Sequence, residues 1–118
     1  VASDVGGRVL SMSTVPRPGE VWFVDLGMVG KPRYALVMAA QADARLALAS
    51  VVLITKQFEG TPYEVTLPRV PWLREQSYIN AQSLQPVKFT EFMRKAPGKF
   101  DACVSAEVEA AIKRWLRL

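Results

Sequence analysis

The chain has 118 residues, which suits one domain with a hydrophobic core. Half of the residues are hydrophobic, 22% are charged and the formal net charge is +4, which predicts a globular protein able to bind nucleic acid or an acidic partner. The sequence has no histidine and a single cysteine, Cys103, which excludes histidine-based catalysis, His or Cys metal sites and an internal disulfide. We therefore expect no metal, no cofactor and a cytoplasmic location.

The first elements follow from composition and turn residues. Residues 1–15 are rich in Gly, Ser and Val without periodicity and predict a flexible arm, which leaves residues 16–118 as one domain. Glu20–Leu26 is rich in β-branched and aromatic residues and predicts a strand. Gly27–Pro32 predicts a loop, and Arg33–Ala40 predicts a second strand that is apolar enough to be buried on both faces.

The middle of the chain continues with short strands. Gln41–Arg45 predicts a polar turn and Leu46–Thr55 a third strand, whose apolar run is too short to span a membrane. Tyr63–Leu67 alternates apolar and polar side chains, the pattern of a half-buried strand. Pro68–Gln76 contains two prolines and predicts a loop or a single helical turn.

The last third predicts two more strands and a helix. Ser77–Asn80 and Ser83–Val87 are the strands, and Phe89–Met93 is a brief helical turn. Ser105 is the predicted N-cap of the closing helix. The apolar stripe of this helix is formed by Val108, Ala111, Ile112 and Trp115.

Several short strands with tight turns and one terminal helix predict a fold that is mainly β with a C-terminal α-helix. A small, strongly bent antiparallel barrel is the architecture that fits this order of elements.

The chain contains six segments in a defined order: Pro18–Leu26, Lys31–Val37, Val51–Gln57, Gly60–Leu67, Ser77–Leu84 and the closing Ser105–Leu118. In this order and with similar spacings they resemble the MazF/PemK family, the toxins of bacterial toxin–antitoxin pairs. The resemblance covers roughly residues 16–118 and implies an SH3-like barrel, a homodimer and a cognate antitoxin as partner. Many members are sequence-specific endoribonucleases.

The resemblance implies that Arg33 and Thr55 are catalytic in metal-independent cleavage of single-stranded RNA. The 2′-OH would attack the neighbouring phosphate and give a 2′,3′-cyclic phosphate and a 5′-OH end. Arg33 would perform electrostatic and proton-transfer work, and the Thr55 hydroxyl would donate to the phosphorane. The alternatives are an ordinary loop arginine, either solvated or paired with Glu20 or Asp25, and an ordinary strand threonine.

Seven further residues are predicted to contact RNA. The amides among them can read base edges or, equally well, bond strand ends. Glu20, the carboxylate among them, would orient Arg33, although capping a turn is the simpler role for it. The seven are Glu20, Lys31, Lys56, Gln57, Asn80, Gln82 and Lys88.

Other surface residues extend this prediction. Phe58, Tyr63 and Trp72 are candidates for stacking on a base, and we expect at most one of them to do so because aromatic side chains in a small domain mostly fill its core. Further cations could track the phosphates: Arg69, Arg74, Arg94, Lys95 and Lys99.

The partners and two rival functions complete the prediction. An acidic, initially disordered antitoxin segment would cover the basic groove. One rival is a toxin of the same fold that uses its C-terminal helix to inhibit a protein such as DNA gyrase, as CcdB relatives do. Trp115 and Leu118, close to the terminus, support that alternative. The other rival is a non-catalytic barrel that binds RNA or protein.

Overall fold

The computed structural model describes residues 15–27, 31–42 and 47–118. Within these ranges the chain forms seven strands, short 3-10 turns at Ala81–Ser83 and Phe89–Glu91, and one α-helix. The strands are β1 (Val21–Val24), β2 (Arg33–Ala42), β3 (Ala47–Thr55), β4 (Glu64–Thr66), β5 (Tyr78–Asn80), β6 (Gln85–Lys88) and β7 (Phe92–Lys95); the helix is α1 (Ala102–Leu116).

The strands form one antiparallel sheet in the order β4-β5-β3-β2-β1-β7, with β6 also paired to β3. Residues 48–51 of β3 pair with β6, whereas Ile54 and Thr55 pair with β5, so β3 changes partner along its length. No pairing joins β4 to β7 among the described strands, and the bent sheet is therefore not closed by hydrogen bonds. The predicted class, mainly β with a C-terminal helix, is confirmed.

A tight turn leads into β1. The amide of Glu20 donates to the carbonyl of Arg17 at 3.1 Å, and Gly19 has φ +91°. Proline followed by glycine at the two central positions is the pattern of a type II turn, because the second position requires positive φ. Gly19 and Val37 are also bonded, since the Gly19 amide donates to the Val37 carbonyl at 2.8 Å. The turn is thereby fixed to the middle of β2.

The centre of the sheet is buried on both faces. Leu36 packs in a core with Val52 and Val108 of α1, whereas its neighbours Ala35 and Val37 belong to a second core on the opposite face. All three β2 residues have no exposed surface, so the prediction that this strand is buried on both faces is confirmed. The second core consists of Trp22, Val24, Ala35, Val37, Ala49, Val51, Val87 and Phe89.

The helix begins earlier than predicted. Its N-cap is Asp101, whose carboxylate accepts hydrogen bonds from the amides of Cys103 and Val104, and Ser105 lies inside the first turns. The predicted cap was wrong because serine and aspartate are both favoured N-cap residues, and the buried Val104 extends the apolar stripe by one turn. No helix of the described residues is apolar and long enough to cross a membrane.

One strand was missed. Phe92–Lys95 forms β7 on the edge of the sheet beside β1, after the short helical turn that the sequence predicts at this point. The strand has four residues and two are cationic, so its sequence carries little β signal. It is held by its contacts with β1 rather than by its own propensity.

Parts of four predicted segments lie outside the described residues. They are residues 1–14 of the arm, 28–30 of the loop, 43–45 of the polar turn and Leu46 at the start of the predicted third strand.

Candidate functional site

A surface pocket of about 480 Å³ lies where β2 begins and β3 ends. Arg33 is the first residue of β2 and Thr55 the last of β3, and both line the pocket. The loop between β4 and β5 supplies one wall. The lining residues are Phe23, Pro32, Arg33, Tyr34, Ile54, Thr55, Lys56, Gln57, Leu73, Arg74, Glu75 and Ser77.

The strand register explains why Arg33 and Thr55 meet. β2 and β3 are antiparallel, with Ala35 opposite Leu53. Continuing this register by two residues brings Arg33 level with Thr55 on the same side of the sheet, because side chains alternate faces with a period of two. The two residues are 22 positions apart in the sequence, and the pairing of β2 with β3 brings both to the same end of the sheet, where they line one pocket.

Arg33 is exposed, and its guanidinium has no hydrogen bond or ion pair with any residue that the structure describes. Neither Glu20 nor Asp25, the two predicted partners, holds it. A free guanidinium presents a planar set of N–H donors that matches two phosphate oxygens. The arginine is therefore available to an anion that enters the pocket.

Thr55 has a fixed hydroxyl. Its Oγ1 accepts a hydrogen bond from the Gln57 amide at 3.1 Å. A hydroxyl has one proton to donate as well as lone pairs to accept with, so the accepted bond leaves the proton of Thr55 for another partner. Thr55 is half-buried at the edge of the pocket, which limits how far this hydroxyl can move.

The wall behind Arg33 is aromatic. Phe23 and Tyr34 are opposite each other in β1 and β2, and their rings meet edge to face at 5.1 Å. Tyr34 also contacts Trp72 at 5.5 Å, and the Arg94 guanidinium lies 4.2 Å from the centre of the Phe23 ring. Contacts of this kind hold the rings in place and bring another positive charge near the pocket.

The charge of the lining is positive. Arg33, Lys56 and Arg74 are opposed by one carboxylate, Glu75, whose Oε2 lies 3.5 Å from the Lys56 ammonium. Both members of this ion pair are exposed, so it adds little to stability and can rearrange around a ligand. A pocket with more cations than carboxylates attracts anionic substrates. Among the described residues, no group of three His, Cys, Asp or Glu side chains lies close enough together to hold a metal ion.

Glu20 lies at the other end of β1 from Arg33, which pairs with Val24. Its carboxylate accepts from the Trp22 indole at 2.9 Å and the Arg17 amide at 3.0 Å, and lies 3.4 Å from the Lys95 ammonium. Partial burial acts to raise the pKa of Glu20, but these bonds and the Lys95 charge outweigh it and the pKa is lowered. Glu20 therefore caps the turn that begins at Arg17, which is the simpler of its two predicted roles.

The structure brings two of the seven predicted RNA contacts, Lys56 and Gln57, into the pocket with Arg33 and Thr55. Asn80 instead caps a 3-10 turn by accepting from the Gln82 amide at 2.9 Å. Lys88 lines a separate surface depression beside Asp25. Neither Gln82 nor the exposed Lys31 is part of the pocket lining.

Several lining residues were not predicted. Phe23 and Tyr34 could have been found, since they lie in predicted strands close to Arg33. Glu75 and Ser77 gave no signal, because they come from a loop without periodicity. That loop is closed by the Gln76 side-chain amide, which donates to the carbonyl of Leu67 at 2.7 Å. The Leu67 amide also donates to the Ser77 carbonyl at 3.0 Å, and these bonds across the base of the loop place both residues at the pocket.

Comparison with known proteins defines the class. The model of the family described as PemK-like, MazF-like toxin of type II toxin–antitoxin system matches residues 17–116. The match covers most of the chain, and this protein therefore belongs to that family. No curated protein matches the sequence.

Solved structures agree with this fold. A mycobacterial endoribonuclease in complex with its cognate antitoxin has a TM-score of 0.73 and 22% identity, over 87% of this chain and 96% of that one. The toxin MazF-mt6 of Mycobacterium tuberculosis has a TM-score of 0.71 and 21% identity, over 84% and 97%. MazF from Deinococcus radiodurans has a TM-score of 0.65 and 27% identity, over 88% and 98%. At these identities the mycobacterial likenesses establish the fold alone.

Proposed function

We propose that this toxin is a metal-independent endoribonuclease that cleaves single-stranded RNA in the pocket at the ends of β2 and β3. The observation that carries the proposal is that Arg33 and Thr55 line one cationic pocket. The Arg33 guanidinium has no partner among the described residues, and the Thr55 hydroxyl is fixed by the Gln57 amide. The chain belongs to the MazF-like toxin family, many members of which are endoribonucleases, and this membership supports the same class of activity here.

The proposed reaction is a transesterification at one phosphate. The 2′-oxygen forms a bond to phosphorus, the bond from phosphorus to O5′ breaks, and the products are a 2′,3′-cyclic phosphate and a 5′-OH end. Arg33 binds the non-bridging oxygens and stabilises the charge that grows on them. Thr55 donates its hydroxyl proton, which the hydrogen bond from Gln57 does not use, to one of these oxygens.

Two protons must move in this reaction. The 2′-OH loses one, and among the charged lining side chains only Glu75 carries acceptor oxygens, because guanidinium and ammonium groups only donate. We assign the role of proton acceptor to Glu75, since a guanidinium such as that of Arg33 is a poor base. The leaving O5′ takes its proton from water in this open pocket, and Glu75 then returns its own to the solvent.

The partners of the toxin are proposals of the same kind. Similar structures include a mycobacterial endoribonuclease with its cognate antitoxin and a MazE–MazF complex from Deinococcus radiodurans. We expect an acidic antitoxin segment to cover Arg33, Lys56 and Arg74 in this chain. The homodimer implied by the family and the cytoplasmic location expected from the single cysteine stay predictions. Sedimentation of the purified protein tests the first.

The decisive experiment incubates the protein with a long single-stranded RNA in excess EDTA and maps the ends of the fragments. Discrete cuts with 5′-OH ends are expected, and Arg33→Ala should abolish them. Lys113→Ala is the matched control, because it removes one positive charge from an exposed position on α1. An absence of cuts by a folded protein, or cuts that persist in Arg33→Ala, would overturn the proposal.

A second candidate function is inhibition of a protein target through α1. It is favoured by apolar side chains at the end of the helix, since Leu116 is 46% exposed and Leu118 85%. Under this alternative the double change Leu116→Gln and Leu118→Gln removes toxicity in growing cells, whereas Arg33→Ala leaves it intact. The nuclease proposal predicts the opposite pattern.

A further inference from the structure

An aromatic ring stands exposed beside the catalytic pocket. Phe58 is 52% exposed although it is one of the large hydrophobic residues of the chain. One face of its ring is stacked on Tyr78, with centroids 4.7 Å apart and planes 26° from parallel. The exposed surface therefore belongs to a ring that its neighbour already holds in place.

The stacked pair lies beside the pocket, because each of its two residues directly follows a residue of the pocket lining. Phe58 follows Gln57 directly and Tyr78 follows Ser77, and both Gln57 and Ser77 line the pocket. Tyr78 is also the register partner of Thr55 in the β3–β5 pairing. Phe58 is three residues from Thr55, so their backbones lie no more than about 10 Å apart.

The loop that carries Phe58 is braced by Glu64. The carboxylate of Glu64 accepts from the Glu59 amide at 2.8 Å, from the Thr61 amide at 2.6 Å and from the Thr61 hydroxyl at 3.0 Å. These bonds hold the chain just after Phe58 before any ligand arrives. A pre-organised ring loses little conformational entropy when a ligand binds.

The other two aromatic residues predicted to stack on a base do not present an exposed ring in the same way. Trp72 is half-buried between Tyr34 and Phe100, each with a ring centroid 5.5 Å from its own. Tyr63 is half-buried and contacts Trp115 edge to face at 5.3 Å. Both pack against the core beneath α1. Phe58 is the candidate whose second ring face can meet a base.

We propose that Phe58, backed by Tyr78, is a stacking platform for the base of a nucleotide next to the phosphate held by Arg33 and Thr55. The inference rests on the proposed function in placing RNA in this pocket. A phenyl ring has no hydrogen-bonding groups, so the platform accepts any base and favours purines for their larger π surface. It adds affinity and position, while the neighbouring Gln57 amide is placed to read a base edge.

The test measures binding rather than cleavage. Short 2′-O-methyl oligonucleotides that tile the RNA substrate cannot be cut, because they lack the attacking hydroxyl. Replacing Phe58 by alanine should raise their Kd about 5- to 150-fold, the range for loss of one base stack. Phe58→Leu, which keeps an apolar side chain but no ring, should behave like alanine, whereas Phe58→Trp should retain wild-type affinity.

A fluorescent base locates the stack. 2-Aminopurine placed at successive positions should be quenched at one position by the wild-type protein and by Phe58→Trp, but not by Phe58→Leu. Met93→Ala is the control, since Met93 is 53% exposed on β7 and three strands separate β7 from β5 in the sheet. Thermal unfolding of each variant verifies that it is folded.

The outcomes separate the two proposals. Unchanged Kd and unchanged quenching in Phe58→Leu, in a protein that cuts RNA, would overturn the platform and leave the nuclease standing. Binding that depends on Phe58, in a protein that cuts nothing in EDTA, would support the platform and reject the nuclease. Failure of the folded wild-type protein to bind any oligonucleotide would reject both.

Discussion

The backbone amide of Gln57 donates a hydrogen bond to the side-chain oxygen of Thr55 at 3.1 Å, at the point where β3 leaves the sheet. This bond fixes the rotamer of Thr55 from the residue two positions later. It also decides which part of the hydroxyl is free, because the oxygen accepts from Gln57 and the proton does not take part. The side chain is thereby prepared as a donor at the edge of a cationic pocket.

Replacing Thr55 by valine keeps its shape and removes the hydroxyl. Single-turnover cleavage should slow by about 10²- to 10³-fold, the effect of losing one donor to the charged oxygens of a transition state. Thr55→Ser should retain most of the rate. Thr66→Val is the control, because Thr66 is an exposed strand residue outside the pocket lining. Equal rates for wild-type protein and Thr55→Val would remove Thr55 from the mechanism.

The salt dependence of RNA binding should identify the cations that contact phosphate. The logarithm of the binding constant for single strands falls with that of the salt concentration, by about 0.7 for each phosphate neutralised. Lys56→Gln and Arg74→Gln should each reduce this slope by about 0.7, since both residues line the pocket. Lys88→Gln should leave it unchanged, because Lys88 lies in a separate depression. The reverse result would restore the sequence-based assignment of Lys88.

Glu20 should make stability depend on pH in the acid range. Its pKa in the folded protein lies below the ordinary value of 4.5, so the unfolded chain binds more protons there and the free energy of unfolding rises with pH. The contribution of Glu20 to the free energy of unfolding is fully present above pH 4.5 and is lost as the pH falls through the pKa of Glu20 in the folded protein.

Urea unfolding between pH 3 and 6 measures this dependence. Glu20→Gln should flatten it, since glutamine keeps an acceptor oxygen but does not titrate. Glu107→Gln, at an exposed position on α1, should leave the profile unchanged. A profile for Glu20→Gln identical to that of the wild type would show that the bonds from Arg17, Trp22 and Lys95 do not set the acid limit.

The helix N-cap gives a test of the fold alone. Asp101→Ala should lower the free energy of unfolding by about 1 kcal/mol, because two amides lose their acceptor. Ser105→Ala should change it by less than about 0.5 kcal/mol, since Ser105 lies within the helix. Urea unfolding at neutral pH compares the two variants. A larger loss of unfolding free energy for Ser105→Ala than for Asp101→Ala would indicate that Ser105 is the N-cap, as the sequence predicts.

The strands could be predicted where composition and burial agree. β2 and β3 are long, apolar and buried, so their residues carry a strong signal. β7 could not be predicted, because its four residues are stabilised by contacts that the sequence does not reveal. The Arg94 guanidinium lies on the Phe23 ring, and the Lys95 ammonium lies 3.4 Å from Glu20.

The candidate site could likewise be predicted only in part. Arg33 and Thr55 could be named from the order of segments, and the register of β2 and β3 then accounts for their meeting. The loop side of the pocket was predicted only in part. Arg74 was named as a cation that could track phosphates, whereas Glu75 and Ser77 were not predicted, because they reach the pocket through the closure of a long loop. Glu20 was predicted to orient Arg33 because it matches an acidic position of the family, but the length of β1 separates the two residues.

The burial of β2 and β3 on both faces affects how the pocket can be controlled. Local opening occurs where few apolar contacts are lost, and Leu36, Val37, Val51 and Val52 are all without exposed surface. Their amides should exchange with solvent deuterium only through global unfolding. A rearrangement of β2 and β3 beneath Arg33 and Thr55 would therefore expose buried apolar side chains. We expect a regulator of this toxin to cover the pocket rather than to deform these two strands.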